Sequence, residues 1–399
     1  MKKIEGGITA AKGFQAAGGA AGIKKQGVKD MALVYSEVPC VAAGTFTTNI
    51  VKAAPVKWDQ EIVYNHPTAQ AIVCNSGIAN TCCSGGVEVA EEICEAAAKT
   101  LQCNADDIVI ASTGVIGQPL DPNPIKNGLE ELVAGLSENG SDSAAAGIMT
   151  TDTVKKEIAV EFELGGKTCH IGGIAKGSGM IHPNMCTMLS FVTTDAAITQ
   201  PLLLEALQAD VCDTYNMISV DGDTSTNDTC LLLANGMAEN PVISEKNEDY
   251  DRFCEALRTV NEYLAKQMAG DGEGATALFE VKVIGAETKE QAKIISKSVI
   301  TSNLTKAAIY GHDANWGRIL CAMGYSGAQF DPEKVDLFFE SKAGKIQIIE
   351  NGVAVDYSEE EATKILSEEA VTAIADVKMG DATATAWGCD LTYDYIKIN

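Results

Sequence analysis

Ile158, Val160, Phe162 and Leu164 alternate strictly, stop at Gly165-Gly166, and are followed by a return run over 167–175. A period of two places all four side chains on one face of a strand, and a Gly-Gly pair supplies the backbone freedom of a tight hairpin turn. The returning strand delivers Lys176 into KGSGMIHPNMC (176–186), a loop rich in Gly, Pro and Asn. Directly after it, Thr187–Thr194 (TMLSFVTT) is β-branched and aromatic enough for a central strand. Thr187 therefore stands where an irregular loop meets a buried strand.

The rest of the chain alternates strand-like and helix-like segments without low-complexity linkers or repeats. Residues 69–74 (AQAIVC) read as a buried strand bounded by a turn at Asn75-Ser76-Gly77. Val87, Ala90, Cys94, Ala97 and Leu101 recur at helical spacing, with Ser84 placed to cap them. Residues 107–112 (DIVIAS) form a strand ending in a turn at Thr113-Gly114, and Pro124 opens a helix whose apolar face is Ile125, Leu129, Leu132, Val133 and Leu136. Leu203, Leu207 and Val211 mark another helix, Phe253, Leu257, Val260, Leu264 and Met268 a longer one, and Thr288 with Gln291 a capping box. Towards the end, Asn351-Gly352 closes a hairpin between IQII and VAV, a helix covers roughly 358–376, and ATATAWGCDLTYDYIKI is extended. Elements mixed in this order predict α+β layers rather than a doubly wound parallel sheet.

Composition narrows the chemistry. With 30 basic and 55 acidic side chains the formal charge is −25, which repels nucleic-acid backbones and anionic membranes. No run is apolar enough to span a bilayer, and MKKIEGGITAAKG has no apolar stretch behind its lysines, so no signal peptide is expected. Thirteen scattered cysteines without such a signal point to a reducing cytoplasm, most of them serving as small buried hydrophobes. Four histidines, at 66, 170, 182 and 312, argue against a His-rich zinc site, and no metal is expected. GIKK at 22–25 lacks the earlier glycine and the Ser/Thr of a phosphate-binding loop; DGDTSTND (221–228) reads as an Asp-capped turn, since Ser225 and Thr226 stand where a calcium loop needs other residues. No GxSxG elbow occurs.

A threonine at a strand start is ordinarily structural. The exception is one that becomes an N-terminus, because its free amine, with a pKa near ~8, then serves as general base for its own hydroxyl. KGSGMIHPNMCTMLSFVTTDA (176–196) resembles the processing signature of the glutamate N-acetyltransferase family, also called the ornithine acetyltransferases, of arginine biosynthesis. The resemblance continues through GITAAKGFQAAGGAAGIK (7–24), IASTGVIGQPL (110–120), MTTDT (149–153), ISVDGDTSTND (218–228), GDGEGAT (270–276), GHDANWGRI (311–319) and YDYIKIN (393–399), in family order over nearly the whole chain.

That resemblance implies a layered α/β sandwich of the ornithine acetyltransferase type with a smaller C-terminal α/β subdomain over about 281–399. It implies a self-cut between Cys186 and Thr187, giving an α chain of 1–186 and a β chain of 187–399. Thr187 is then the nucleophile that takes acetyl from N2-acetylornithine and passes it to glutamate; Thr113 and Gly114 form the oxyanion hole; and Thr153, Lys176, Glu273 and Asn399 contact substrate. No cofactor is implied, although some members also accept acetyl-CoA as donor, and no residue here decides that point. Family members assemble as heterotetramers of two α and two β chains. Cys186 replaces the alanine usual before the nucleophile, and Ile78 a residue usually polar. Family chains commonly run on beyond the Ile-Asn pair to a Ser or Thr that also touches substrate, whereas this sequence stops at Asn399: either it is truncated there, or that contact is absent and substrate binding is weaker. The competing reading keeps the fold and the cut but makes the protein a self-processing amidohydrolase or aminopeptidase, in which water takes the acyl group. A third, non-catalytic reading predicts one uncut chain.

Overall fold

The structure is a computed structural model that describes residues 1–66, 68–182 and 188–399. These fall into two compact units. The first comprises Met1–Gly177, Pro183–Asn216 and Thr224–Leu264; the second comprises Ser178–His182, Met217–Asp223 and Ala265–Asn399.

The first unit is built on one mixed sheet. Its order is Lys2–Ile4, Lys156–Leu164, Lys167–Lys176, Leu189–Thr194, Thr229–Ala234, Met31–Phe46, Thr68–Ile78 and Ile108–Val115, with Phe14–Gly19 paired to the first half of Met31–Phe46. The expected hairpin is present, Leu164 opposite Lys167, with Gly165 and Gly166 at φ of 54° and 79°. Leu189–Thr194 pairs antiparallel with that hairpin on one side and parallel with Thr229–Ala234 on the other. Strands from before and after position 187 thus interleave in a single sheet.

Both faces of the sheet are covered, and the period-two alternation decides which residue faces which layer. Ala32, Val34, Ile72, Cys74, Val109 and Ala111 pack with Val56, Ile62 and Val63 of helix Ala54–Asn65 and with Ala144, Ala145 and Ile148 of helix Ser141–Ile148. Their neighbours Met31, Leu33, Ala71, Val73, Ile108 and Ile110 pack with Ala90, Ile93, Cys94 and Ala97 of helix Gly86–Leu101 and with Ile125, Leu129 and Leu132 of helix Pro122–Ala134. The result is the layered α+β fold expected.

The second unit holds a mixed sheet in the order Val353–Ala354, Gly344–Glu350, Asp336–Ser341, Ala370–Asp376, Leu278–Ala286, Ala382–Cys389 and Ile218–Ser219. Helix Lys289–Ile300 contributes buried Ala292, Ile295, Val299 and Ile300. Thr288 accepts the Gln291 N–H as predicted, while the Gln291 side chain accepts the Glu287 N–H rather than that of Thr288.

Several local expectations are corrected. The helix at 86 starts from Gly85 in the left-handed region with no side-chain cap, so Ser84 does not cap it. Pro122, not Pro124, opens the next helix, because Asp121 accepts the Asn123 N–H and sets the boundary two residues earlier. The helix expected over 358–376 stops at Leu366; Ala370–Asp376 pairs in parallel with Leu278–Ala286, a tertiary ladder that overrides local helical spacing. The chain end is not extended past Cys389 but closes in helix Tyr393–Ile398, capped by Thr392. Of the cysteines described, Cys40, Cys74, Cys94, Cys169, Cys230 and Cys389 are buried, whereas Cys82, Cys212 and Cys321 are exposed, so burial is less general than expected.

Candidate active site

The two predicted turns at 75–77 and 113–114 are instead the paired ends of two parallel strands. Asn75, Ser76 and Gly77 stand opposite Ser112, Thr113 and Gly114. Asn75, Ser76 and Ser112 stay buried inside the sheet because each of these side chains finds a partner there. Ser112 Oγ donates to Asn75 Oδ1 at 2.6 Å, Ser76 Oγ donates to the Gly147 carbonyl at 2.7 Å, and Asn227 Nδ2 donates to the carbonyls of Ala79 and Ser112 at 2.6 and 2.7 Å. Asn227 Oδ1 in turn accepts from the Thr81 and Thr226 hydroxyls, both at 2.7 Å. A buried amide with every capacity used is a rigid strut. It fixes the strand just before Thr113.

Gly114 has φ of 130° and is exposed, and a Cβ there would lie 2.2 Å from the Gly77 carbonyl carbon. Only glycine allows the two backbones to approach so closely. A Cβ on Gly77 would meet Ile23 Cγ2 at 3.0 Å and Lys24 Cγ at 3.1 Å, so the Lys24 side chain lies against this strand end. Lys24 comes from a loop wound about the buried Asp30 carboxylate, which accepts the N–H groups of Ala21, Gly22, Ile23 and Lys24 at 2.6, 3.1, 2.7 and 3.0 Å. Lys24 Nζ donates to the Met149 carbonyl at 2.5 Å. Burial lowers its pKa, and the charge of Lys176 acts in the same direction.

Lys176 ends its strand almost buried, at 7% exposure. Next to it, Asp152 Oδ1 accepts the Gly177 N–H at 2.7 Å and pairs with Lys156 Nζ at 2.7 Å, both side chains of the pair being fully buried, while Oδ2 accepts the Thr150 N–H at 3.0 Å. Burial pushes the Asp152 carboxyl upward, but Lys176 and Lys156 outweigh it and hold the group well below the usual carboxylate range. Thr153, exposed and next in sequence to Asp152, is brought to the same loop end as Lys176. Removing one partner of a buried pair leaves an uncompensated charge, so Lys156→Met is expected to cost about 3–5 kcal/mol in urea unfolding. A loss below ~1 kcal/mol would mean that Lys176 alone neutralises Asp152.

In the second unit, Glu273 and Asn399 meet: Asn399 Nδ2 donates to Glu273 Oε2 at 2.7 Å. Glu273 N–H donates to the Ser178 carbonyl at 3.0 Å, Ser178 Oγ donates to the Asp271 carbonyl at 2.7 Å, and a Cβ on Gly179 would lie 2.4 Å from Glu273 Oε1. The glycine therefore makes room for the carboxylate. Asp221 accepts the N–H groups of Met180, Ile181 and Asp223 at 2.6, 2.9 and 3.2 Å, the Asp-capped turn expected for that motif. His182 Nδ1 lies 3.1 Å from Ser219 Oγ; burial, then the nearby Lys297, lowers its pKa to about 4. No group of side chains able to hold a metal ion occurs among the described residues.

The structure thus gathers Thr113 with Gly114, Lys176 with Thr153 through Asp152, and Glu273 with Asn399. Cys186 and Thr187 lie outside the described residues. Lys24, Asp30, Asp152 and Asn227 belong to these clusters without a sequence signal that singles them out. Each falls in or beside a block of the family resemblance, but their roles depend on contacts to distant carbonyls and amides.

Residues 15–399 match the model described as the ArgJ family. A protein of Clostridium acetobutylicum called arginine biosynthesis bifunctional protein ArgJ 1 is 52% identical, the match covering 98% of this chain and 96% of that protein. The arginine biosynthesis bifunctional protein ArgJ of Thermotoga neapolitana is 50% identical over 97% of this chain and 98% of that protein. Among solved structures, arginine biosynthesis bifunctional protein argJ from Bacillus halodurans is 47% identical with a TM-score of 0.51, covering 53% of this chain and 99% of that chain.

Proposed function

The chain belongs to the ArgJ family, and we propose that it cuts itself before Thr187 and then carries acetyl from N2-acetylornithine to glutamate on the Thr187 hydroxyl. It is an enzyme of arginine biosynthesis with acetyl transfer as its chemistry. The observation that carries this reading is the family match over 15–399 with the processing signature of 176–196 inside it. The Bacillus halodurans chain adds support: it is covered almost entirely by about half of this one, the size of either piece that a cut before Thr187 would give.

In the cut, Thr187 Oγ attacks the Cys186 carbonyl carbon and the acyl group moves from nitrogen to oxygen, freeing the Thr187 amine. Water then hydrolyses the ester, leaving a Cys186 carboxylate and a free Thr187 hydroxyl. In transfer, the amine takes the Oγ proton as Oγ attacks the acetyl carbonyl. The oxyanion forms against the Thr113 hydroxyl and the Gly114 N–H; one such donor contributes on the order of 3–4 kcal/mol. Collapse expels ornithine, whose departing nitrogen takes the proton. The glutamate amine then attacks the ester, returning Thr187 Oγ and giving N-acetylglutamate. Two half-reactions through one ester predict ping-pong kinetics.

Lys176, near Asp152 but oppositely charged to a substrate carboxylate, is the anchor for that group. Glu273, held by Asn399, suits the side-chain ammonium of ornithine. Thr153 is a further contact. Acetyl-CoA as second donor, a cytoplasmic location and an assembly of two α and two β chains complete the proposal; among the described residues no helix is long and apolar enough to cross a membrane.

The test is the intact mass of the purified protein before and after brief exposure to N2-acetylornithine. Two chains parted at Cys186–Thr187, the second gaining one acetyl group, are expected. One unbroken chain that gains nothing overturns the reading, and acetate release in place of N-acetylglutamate would favour a hydrolase. N-acetylglutamate formed from acetyl-CoA and glutamate alone tests the second donor; a background rate excludes it.

A further inference from the structure

Three lysines stand in GIKKQGVK (22–29), a cationic stretch in a chain of net charge −25 to which the transfer scheme gives no task. Lys25 and Lys29 are exposed, as solvated lysines usually are, but Lys24 is half-buried. Its stem lies against Gly77, which stands opposite Gly114 in the parallel ladder. Lys176 comes from a different strand, yet it is within electrostatic reach of Lys24, and both lysines act on the Cys74 thiol, three residues before Gly77. Two cations from separate elements of the first unit therefore converge on the strand end that carries Thr113 and Gly114.

Neither cation has a carboxylate to itself. Of the charges facing Lys24, Asp30 acts most strongly, but its two oxygens are taken by the N–H groups of Ala21, Gly22, Ile23 and Lys24. Asp152 acts more weakly, and it already receives Lys156 Nζ and the N–H groups of Gly177 and Thr150. Among the described residues, Lys24 Nζ meets two carbonyls, those of Met149 at 2.5 Å and Lys29 at 3.5 Å, and pairs with no carboxylate. An ammonium has three N–H groups, so one is left for a ligand. Burial first, and then the like charge of Lys176, disfavours the charged form of Lys24. An anion seated between the two ammonium groups offsets both effects.

The two substrates differ in the anions they bring. N2-acetylornithine carries one carboxylate, for which Lys176 is the anchor; glutamate carries that one and a second on its side chain. Resting on the transfer reading above, we propose that Lys24 is a specificity-determining residue that receives the side-chain carboxylate of the acceptor glutamate. The two lysines then hold the two carboxylates of one molecule. Lys24 serves the second half-reaction far more than the first, and it separates glutamate from a neutral acceptor of the same size, glutamine.

Lys24→Gln removes the charge and keeps an N–H donor for the Met149 carbonyl, whereas Lys24→Arg keeps the charge. In ping-pong kinetics kcat/KM for each substrate reports its own half-reaction, so the two are read separately. In Lys24→Gln, kcat/KM for glutamate is expected to fall about 10–100-fold further than kcat/KM for N2-acetylornithine, the range for losing a hydrogen bond to a charged group. The preference for glutamate over glutamine narrows with it, and Lys24→Arg recovers most of both. An equal fall for the two substrates, as a merely structural role would give, overturns the proposal, and so does an unchanged preference over glutamine. Should the variants not fold, reductive methylation of the wild-type enzyme gives the answer. Glutamate is expected to slow labelling of Lys24 more than ornithine does; equal slowing, or none, overturns the proposal. A wild-type protein that forms no N-acetylglutamate removes the transfer reading itself, and this inference with it, whereas a transferring wild type with unselective variants removes only the role of Lys24.

Discussion

Thr187→Ala is expected to yield one chain of 399 residues and no acetyl transfer above background. The substitution removes the single oxygen to which the proposed function gives two uses, attack on the Cys186 carbonyl and acceptance of the acetyl group. Loss of the nucleophile in a unit of this kind lowers kcat by on the order of 10⁴–10⁶-fold. Thr187→Ser keeps the hydroxyl and is expected to be cut, so it separates chemistry from folding. Mass spectrometry of both variants decides the matter: two chains of the predicted sizes in Thr187→Ala would sink the self-cleavage mechanism.

Gly114→Ala is expected to produce the second large effect. The added Cβ would lie 2.2 Å from the Gly77 carbonyl carbon and 2.3 Å from its oxygen, backbone atoms that no rotamer change can clear, at a φ of 130°. The strand end must shift, and with it any N–H aimed at a developing oxyanion. A loss of about 10²–10³ in kcat is expected, beyond ~1–3 kcal/mol of backbone strain. Gly117→Ala is the control, since Gly117 also has positive φ, at 80°, but meets nothing within 4 Å. Steady-state rates and thermal unfolding of the two variants separate the contributions. If kcat in Gly114→Ala stays within about threefold of wild type, Gly114 is no oxyanion donor.

Periodicity carried much of the fold. The alternation over 158–164 and the helical spacing of residues 203–211 and 253–268 correspond to elements whose apolar faces are buried. Boundaries went astray where a polar side chain is satisfied across the fold rather than nearby. Asn75-Ser76-Gly77 has turn composition, yet Ser76 reaches Gly147 and Ser112 reaches Asn75, so the strand continues. Residues 370–376 have no turn signal separating them from the preceding helix, and only pairing with Leu278–Ala286 makes them a strand. The candidate site was legible through long family motifs. Its supports were not, because Asp30 and Asp152 act on backbone amides whose positions exist only once the chain has folded.

The interleaved sheet changes the molecularity of unfolding. In a cut protein, Leu189–Thr194 and Thr229–Ala234 belong to one polypeptide, while Lys167–Lys176 on one side and Met31–Phe46 on the other belong to its counterpart. Neither polypeptide can leave without breaking ladders on two edges, so separation and loss of the fold are one event. For the uncut chain, the unfolding midpoint is independent of protein concentration. After the cut it becomes a bimolecular equilibrium whose midpoint falls on dilution. Folding that precedes the cut is thereby kept as a matter of kinetics, because the pieces, once unfolded, must find one another again.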